Sequence, residues 1–298
     1  MATIIVVLLA SFAPLYHVRS DSDTLDVFVI DGQSNAAYAN EPGSVDLTVV
    51  NSELGAPHHK LYYYGNTQRP TMYGQADTNY AIHPIYANGT YLVGGLVAPF
   101  AYYLSENQGR DILVLDVGVS GQSIANLVPG SVYGNWKMNI LTAALGSISG
   151  YEHINLLGWA WLQGEADPTM AVSTYTAYFN DLEAYYASIG CPDCYIVKTR
   201  EMYGGNATIA QANLIASNSH IHLGTDITDT FTGTAYMLDD VHYSQAARVI
   251  IAESVAEVVP IEHYGENGAA DKLLAAIPVL IICALLLSIV TIFIRSRT

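Results

Sequence analysis

Asp26 to Asn40 reads DVFVIDGQSNAAYAN, and the abrupt change inside it, from the apolar run Val27 to Ile30 into Gly32-Gln33-Ser34-Asn35, decides how the rest of the chain is read. Four apolar, mostly β-branched residues suit a strand buried on both faces of a parallel sheet, and Asp31-Gly32 is a turn signal directly after it. Ser34 then stands at the strand's carboxyl end, the edge of an open α/β sheet where ligands bind. A helix starting there aims unpaired backbone N–H groups at an oxyanion formed beside the serine. Taken alone, the segment fits an N-cap serine equally well, because Ser and Asn are both ordinary cap residues.

Working outward, apolar strands alternate with helical patterns, which predicts a parallel sheet. The pattern places helices over 95–107, 138–148, 174–188, 209–217 and 244–259. Strands are predicted over 112–117, 154–162, 195–199 and 221–223. Residues 40–90 break the alternation and read as a long loop with Tyr62, Tyr63, Tyr64, Tyr73, Tyr80, Tyr86 and Tyr91. Such a loop either stacks tyrosines on sugar rings or packs onto its own domain.

The two ends of the 298-residue chain differ from its middle. Thr3 to Tyr16 is apolar for about fourteen residues, short of the roughly 20 that span a bilayer, and Ser11-Phe12-Ala13 offers small residues for cleavage. Residues 1–20 are therefore read as a signal peptide or an N-terminal apolar segment. Leu273 to Ile294 holds about 22 residues without a charge and is followed by Arg295 and Arg297. That is long enough to cross a bilayer, with its positive flank at the C-terminus. The expectation is a single-pass type I protein. Residues 21–270 would be one extracellular α/β domain on a cell surface or virion envelope, 273–294 the membrane helix and lipid contact, and 295–298 a short basic tail inside.

A formal net charge of −16, from 27 acidic and 11 basic residues, argues against nucleic acid as a partner. Cys191 and Cys194 form CPDC in an expected loop, read as a short disulfide of an exported protein. A thioredoxin-type motif would need the pair at a strand-to-helix turn, and a zinc site completed by His220 and His222 would have an unusual spacing. Asn88-Gly-Thr90 and Asn206-Ala-Thr208 are sequons, expected as surface glycosylation acceptors.

The remaining strand ends carry polar groups as well. They are Gly118-Val119-Ser120-Gly121-Gln122-Ser123, then Gln163-Gly164-Glu165-Ala166-Asp167, and finally Asp239-Asp240-Val241-His242 before the last helix. Acyl transfer needs a nucleophile, an imidazole base, a carboxylate orienting it and donors for the oxyanion. Each has a candidate. Asp239 and His242, three apart in a turn, can place a carboxylate on one ring nitrogen while the other faces Ser34. Gln163, delivered to the same edge, either donates its amide to the oxyanion or caps the turn at Gly164. An α/β-hydrolase elbow at Gly118 to Gln122 fails G-x-S-x-G at its last position.

These residues resemble those of SGNH hydrolases of the sialate O-acetylesterase type, which include carbohydrate esterase family 6. The GQSN block is matched by Gly32, Gln33, Ser34 and Asn35. W-x-Q-G-E-x-D is matched by Trp161 to Asp167, and D-x-x-H by Asp239 and His242. Gly95 to Ala101 is similar to the family's helix leading into a Gly-Gly-Thr-Ser-Ile-like turn, here Ser120-Gly121-Gln122-Ser123-Ile124 with Ser120 in place of the first glycine. The resemblance implies a flavodoxin-like three-layer α/β/α sandwich around a central parallel sheet. It implies Ser34 as nucleophile, with Asp239 and His242 completing the triad, and an oxyanion hole of Ser34, Gly121 and Gln163. Gly32, Gln33, Asn35, Glu165 and Asp167 are supporting residues, the two acids at a helix N-terminus rather than as a glycosidase pair. The expected activity is removal of O-acetyl groups from sugars such as sialic acid, with no metal or other cofactor. The alternative is a non-catalytic glycan-binding or receptor-attachment surface protein, a spike for instance, on the same fold and using the Tyr-rich loop.

Overall fold

The computed structural model describes residues 23–37, 45–66, 69–71, 73 and 80–261. They fall within one compact unit, Ser22–Ile261. The apolar N-terminal run, the 273–294 run and Cys283 lie outside the described residues. Among the described residues, no helix is long and apolar enough to cross a membrane.

From its start the chain forms β1 (Thr24–Gly32), α1 (Leu47–Glu53), β2 (Leu61–Asn66), β3 (Arg69–Pro70), β4 (Ala81–Pro84), β5 (Tyr86–Ala87) and β6 (Thr90–Tyr91). It continues through α2 (Val97–Gln108), β7 (Asp111–Asp116), α3 (Val132–Gly146), β8 (His153–Leu162), α4 (Val172–Ser188) and β9 (Cys194–Val197). Last come α5 (Glu201–Ser217), β10 (Ile221–Thr225), α6 (Gly233–Tyr236) and α7 (Gln245–Val258). The main sheet runs β10-β9-β8-β1-β7-β2, with β3 and β4 added antiparallel to β2. Numbered among themselves, β1, β7, β8, β9 and β10 follow the order 2-1-3-4-5 of a doubly wound sheet. β1 lies at its centre, parallel to β7 on one side and β8 on the other.

All nine residues of β1 are buried, as a strand covered on both faces requires. Period-2 alternation divides them between two cores. Phe28 and Ile30 pack with Phe100 and Ala101 of α2 and Ile251 and Val255 of α7. Leu25, Val27 and Val29 pack on the opposite face with Leu141 of α3, Phe179 and Tyr186 of α4, and Leu214 of α5. Helices on both faces leave the carboxyl ends of the strands as the edge available for a site.

The 40–90 stretch is not the long loop expected. Leu61–Asn66 pairs in parallel with β7, so Tyr63 and Tyr64 enter the sheet and are buried, and Tyr91 is buried beside a short hairpin. A run of aromatic β-formers made a strand here, and Tyr63 and Tyr64 became core, while Tyr62 is half-buried and Tyr73 exposed. The helix expected from residue 138 starts at Val132, because the Ser131 hydroxyl accepts from Gly134 N at 3.0 Å and caps it.

The expected Cys191–Cys194 disulfide is not formed; both are free, buried thiols. Cys191 N donates to Tyr186 O at the end of α4, while Cys194 N is fixed to His220 O as β9 begins. Each cysteine thus follows the register of a different element, and both fill apolar space beside Trp159 and Tyr186. Burial pushes the Cys191 thiol up to about 12 and the Cys194 thiol well up too. Of the sequons, Asn88 is exposed in the turn between β5 and β6, but Asn206 is half-buried inside α5 with Thr208 buried, so it is not the surface-loop acceptor expected.

Candidate active site

The chain leaves β1 through a turn that only glycine permits at its first position. Gly32 has φ +140°, and a Cβ there would lie 2.1 Å from Leu162 O. This close approach lets Gln33 N donate to the same carbonyl at 2.9 Å. Ala36 N and Ala37 N then close on Gln33 O at 3.0 and 2.8 Å. That helical turn lifts Ser34 above the sheet edge, and neither Ser34 N nor Asn35 N finds an acceptor among the described residues.

A second turn brings the imidazole. Leu238 N donates to His242 O at 2.9 Å, and Asp239 Oδ1 accepts from both Val241 N and His242 N at 2.7 Å. The short Asp side chain therefore folds its own turn. Its other oxygen, Oδ2, lies 2.7 Å from His242 Nδ1, and His242 Nε2 lies 3.0 Å from Ser34 Oγ. Burial acts to raise the Asp239 carboxyl, but the hydrogen bonds from the His242 ring, His242 N and Val241 N outweigh it and hold the group down at about 2. It is ionised wherever the imidazole can be neutral.

The two turns are pinned together by Asn35. Its Nδ2 donates to Glu165 Oε1 at 2.8 Å and Val241 O at 3.1 Å, and its Oδ1 accepts from Tyr243 N at 3.1 Å. Gln33 contributes through Oε1, which accepts from Ala166 N at 3.2 Å. The loop after β7 lies alongside, with Val119 N donating to Gly32 O at 2.9 Å. Gly118 is needed there, since a Cβ on it would come within 2.6 Å of Ala37 N. Gly121, at φ +69°, is exposed, and its N–H has no acceptor among the described residues. Ser120 is exposed and bonds to no imidazole.

Two expectations need correction. Gln163 is not presented to Ser34: it is 1% exposed, its Nε2 donates to Asp167 Oδ2 and to Gln122 O, and its Oε1 accepts from Tyr175 OH at 2.9 Å. Both amide hydrogens are committed to the protein, leaving none for an oxyanion. Glu165 and Asp167 do not support the N-terminus of α4, which begins only at Val172. Asp167 instead accepts from Ser123 Oγ at 2.6 Å and Ile124 N at 2.8 Å, at the start of a 3₁₀ turn, and Glu165 faces Asn35. His220 and His222 share Asp193 Oδ1 at 3.1 and 3.2 Å, and no metal-binding group of three side chains forms among the described residues.

The sequence reading missed what lies beneath the Ser34 turn. Asp31 is fully buried, with Lys137 Nζ at 2.9 and 2.6 Å from its two oxygens and Tyr186 OH donating at 2.8 Å. Burial lowers the Lys137 ammonium, and the facing Asp31 charge and hydrogen bonds offset this in part. A lone lysine in an otherwise weakly polar helix was the available signal, because a charge buried there requires a partner.

Residues 24–260 match the family described as "Carbohydrate esterase, sialic acid-specific acetylesterase". Among solved structures, a protein of Arabidopsis thaliana is similar at 15% identity and a TM-score of 0.52, over 78% of this chain and 97% of that one. A carbohydrate acetylesterase from Xanthomonas citri is similar at 15% identity and a TM-score of 0.50, over 80% of this chain and 57% of that one. At these identities the two likenesses concern the fold. No curated protein matches the chain in sequence.

Proposed function

The chain belongs to the family of carbohydrate esterases that includes the sialic acid-specific acetylesterases, a hydrolase of acetyl ester bonds, and from that premise we propose that Ser34, His242 and Asp239 carry the reaction. The observation behind this reading is the unbroken chain of hydrogen bonds from Asp239 Oδ2 through the His242 ring to Ser34 Oγ. Ser34 Oγ attacks the acetyl carbonyl carbon as its proton passes to His242 Nε2. The carbonyl oxygen, now negative, is received by Ser34 N–H and Gly121 N–H. His242 returns the proton to the departing sugar hydroxyl, leaving an acetyl ester on Ser34. A water molecule, deprotonated by the same nitrogen, then attacks the acetyl carbon; the Ser34 Oγ–C bond breaks, His242 returns the proton to Oγ, and acetate leaves. Asp239 holds the ring in the tautomer that leaves Nε2 free to accept.

The substrate class in this reading is a sugar O-acetylated on a hydroxyl, sialic acid among the candidates. Purified protein should release acetate from a panel of acetylated glycans and from p-nitrophenyl acetate. Binding of those sugars with no hydrolysis would return the reading to a non-catalytic glycan-binding protein. That alternative uses the Tyr-rich segment, in which Tyr63, Tyr64 and Tyr91 are buried and Tyr73 is exposed.

The same proposal includes a membrane anchor, on the strength of the uncharged run Leu273 to Ile294 and the arginines after it. It places the esterase outside the membrane as a type I protein. A chain ended at Ala270 should leave the membrane fraction and stay active; continued membrane fractionation would move the anchor elsewhere.

A further inference from the structure

The short strand β3 fixes where the exposed Tyr73 lies. β2 pairs with β7 only from Leu61 to Tyr63, while β4 takes the opposite flank of β2 from Tyr62 to Gly65. Gly65 is bridged both to Ala81 of β4 and to Pro70 of β3. β3 therefore runs on the β7 flank of β2, past Tyr63, the last residue there with a β7 partner. The chain leaving β3 is carried over the carboxyl end of β7, which bears the Gly121 loop. In the order of the sheet that end is one strand from β1 and Ser34, and adjacent strands lie about 5 Å apart.

Tyr73 meets Tyr133 at 4.5 Å and Trp136 at 5.4 Å between ring centroids, both edge to face, and is 39% exposed. Tyr133 and Trp136 are half-buried in the first turns of α3, and Val132 before them is exposed. The start of α3 is tied back to the Gly121 loop. Ser131 Oγ donates to Asn126 O at 2.6 Å, and Asn126 Nδ2 donates to Gln122 Oε1 at 3.1 Å. Edge-to-face packing leaves ring faces available to a ligand.

The surroundings of these rings are uncharged. From Val117 to Trp136 the chain has no Asp, Glu, Lys, Arg or His, and Asn126 and Asn135 are exposed there. A sugar carboxylate calls for a cation, ideally a forked guanidinium, and this stretch holds none. The net charge of −16 acts against an anionic sugar as well. Aromatic faces with amides at their rim suit the C–H face and the hydroxyls of a neutral pyranose. We propose that Tyr73, backed by Tyr133 and Trp136, is a platform for a neutral sugar ring next to the acetylated one. The substrate is then an acetylated oligosaccharide of neutral sugars rather than a lone sialic acid. The inference rests on Ser34 being the nucleophile of the proposed esterase. Because the platform is remote from the acetyl carbon, its contact is equally strong before and during the reaction and acts on KM.

Acetate release from chemically acetylated xylotetraose and cellotetraose, compared with that from the acetylated methyl glycosides of xylose and glucose and from O-acetylated sialic acid, tests the platform. In the parent, kcat/KM should be about tenfold higher for the tetrasaccharides than for the single sugars or the sialic acid. Tyr73→Ala should erase most of that advantage through a rise in KM of roughly five- to tenfold. Tyr73→Phe, which keeps the ring, should preserve it. A packing defect would slow all substrates alike. An advantage unchanged in Tyr73→Ala, or a parent preference for O-acetylated sialic acid, overturns the proposal. Should the protein release no acetate from any substrate, calorimetric titration with unmodified xylotetraose and cellotetraose decides. Binding that Tyr73→Ala weakens upholds the platform and faults the esterase reading, while no binding, or binding indifferent to Tyr73, overturns the platform itself.

Discussion

Asp31 and Asp239 stand at the two ends of the same site, each bonded to a basic side chain, and they differ in almost everything else. Asp31 is wholly buried with Lys137 and Tyr186 beneath the Ser34 turn, while the Asp239 side chain is 55% exposed on a turn it folds itself. A buried pair is costly to break because the survivor is left as an unmatched charge in protein, whereas an exposed carboxylate can be altered with water taking its place. The difference separates two tasks. The sheet end under Ser34 is built for fixed geometry, and the turn carrying His242 lies at a solvent-facing rim, where the proposed mechanism puts the proton transfer.

The comparison is broken most sharply from the buried side. Lys137→Met should destabilise the domain by about 3–5 kcal/mol, read as a lower midpoint in urea, because Asp31 keeps its buried charge without a cation beside it. Removing both charges with Asp31→Asn and Lys137→Met should recover part of that loss. A single variant as stable as the parent would mean the pair does not hold the turn.

From the exposed side the expectation reverses. Asp239→Asn keeps an oxygen for Val241 N and His242 N but loses the orienting carboxylate, so kcat should fall roughly a hundredfold or more. Stability should fall by only about 1 kcal/mol, the part of the carboxylate's hydrogen-bonded preference for the folded state that survives solvent screening. A large drop in melting temperature with normal turnover would make Asp239 a structural residue.

Gln163 tests where the boundary between the two tasks runs. With its amide bonded to Asp167, Gln122 and Tyr175, Gln163→Ala should cost roughly 1–3 kcal/mol of stability by leaving buried groups unmatched. The kcat of the folded variant should stay close to the parent. A hundredfold loss of kcat in a stable variant would restore it as an oxyanion donor.

How far the sequence carries follows from these same residues. The strand ending at Gly32 and the D-x-x-H turn were legible, because an apolar run closed by a turn signal and a carboxylate three residues before a histidine are both local patterns. The direction of the Gln163 side chain was not legible. Its position at a strand end is local, but its partners Asp167, Gln122 and Tyr175 come from three other segments. CPDC permitted a disulfide by spacing alone, and the registers of α4 and β9 decided otherwise. Tyr62-Tyr63-Tyr64 read as loop because the surrounding 40–90 segment is polar and irregular, although three aromatic β-formers in a row carried the strand signal. Lys137 and Asp31 lie 106 residues apart, and nothing in either neighbourhood names the other.

The central claim is that Ser34, and not the exposed Ser120 beyond the end of the neighbouring strand β7, is the nucleophile. A fluorophosphonate probe on the intact protein, followed by peptide mass mapping, tests it directly alongside acetate release from acetylated sugars. The account predicts label on the peptide bearing Ser34, no label and no acetate release for Ser34→Ala, and both largely retained for Ser120→Ala. Label on Ser120, or an active Ser34→Ala protein, would contradict it.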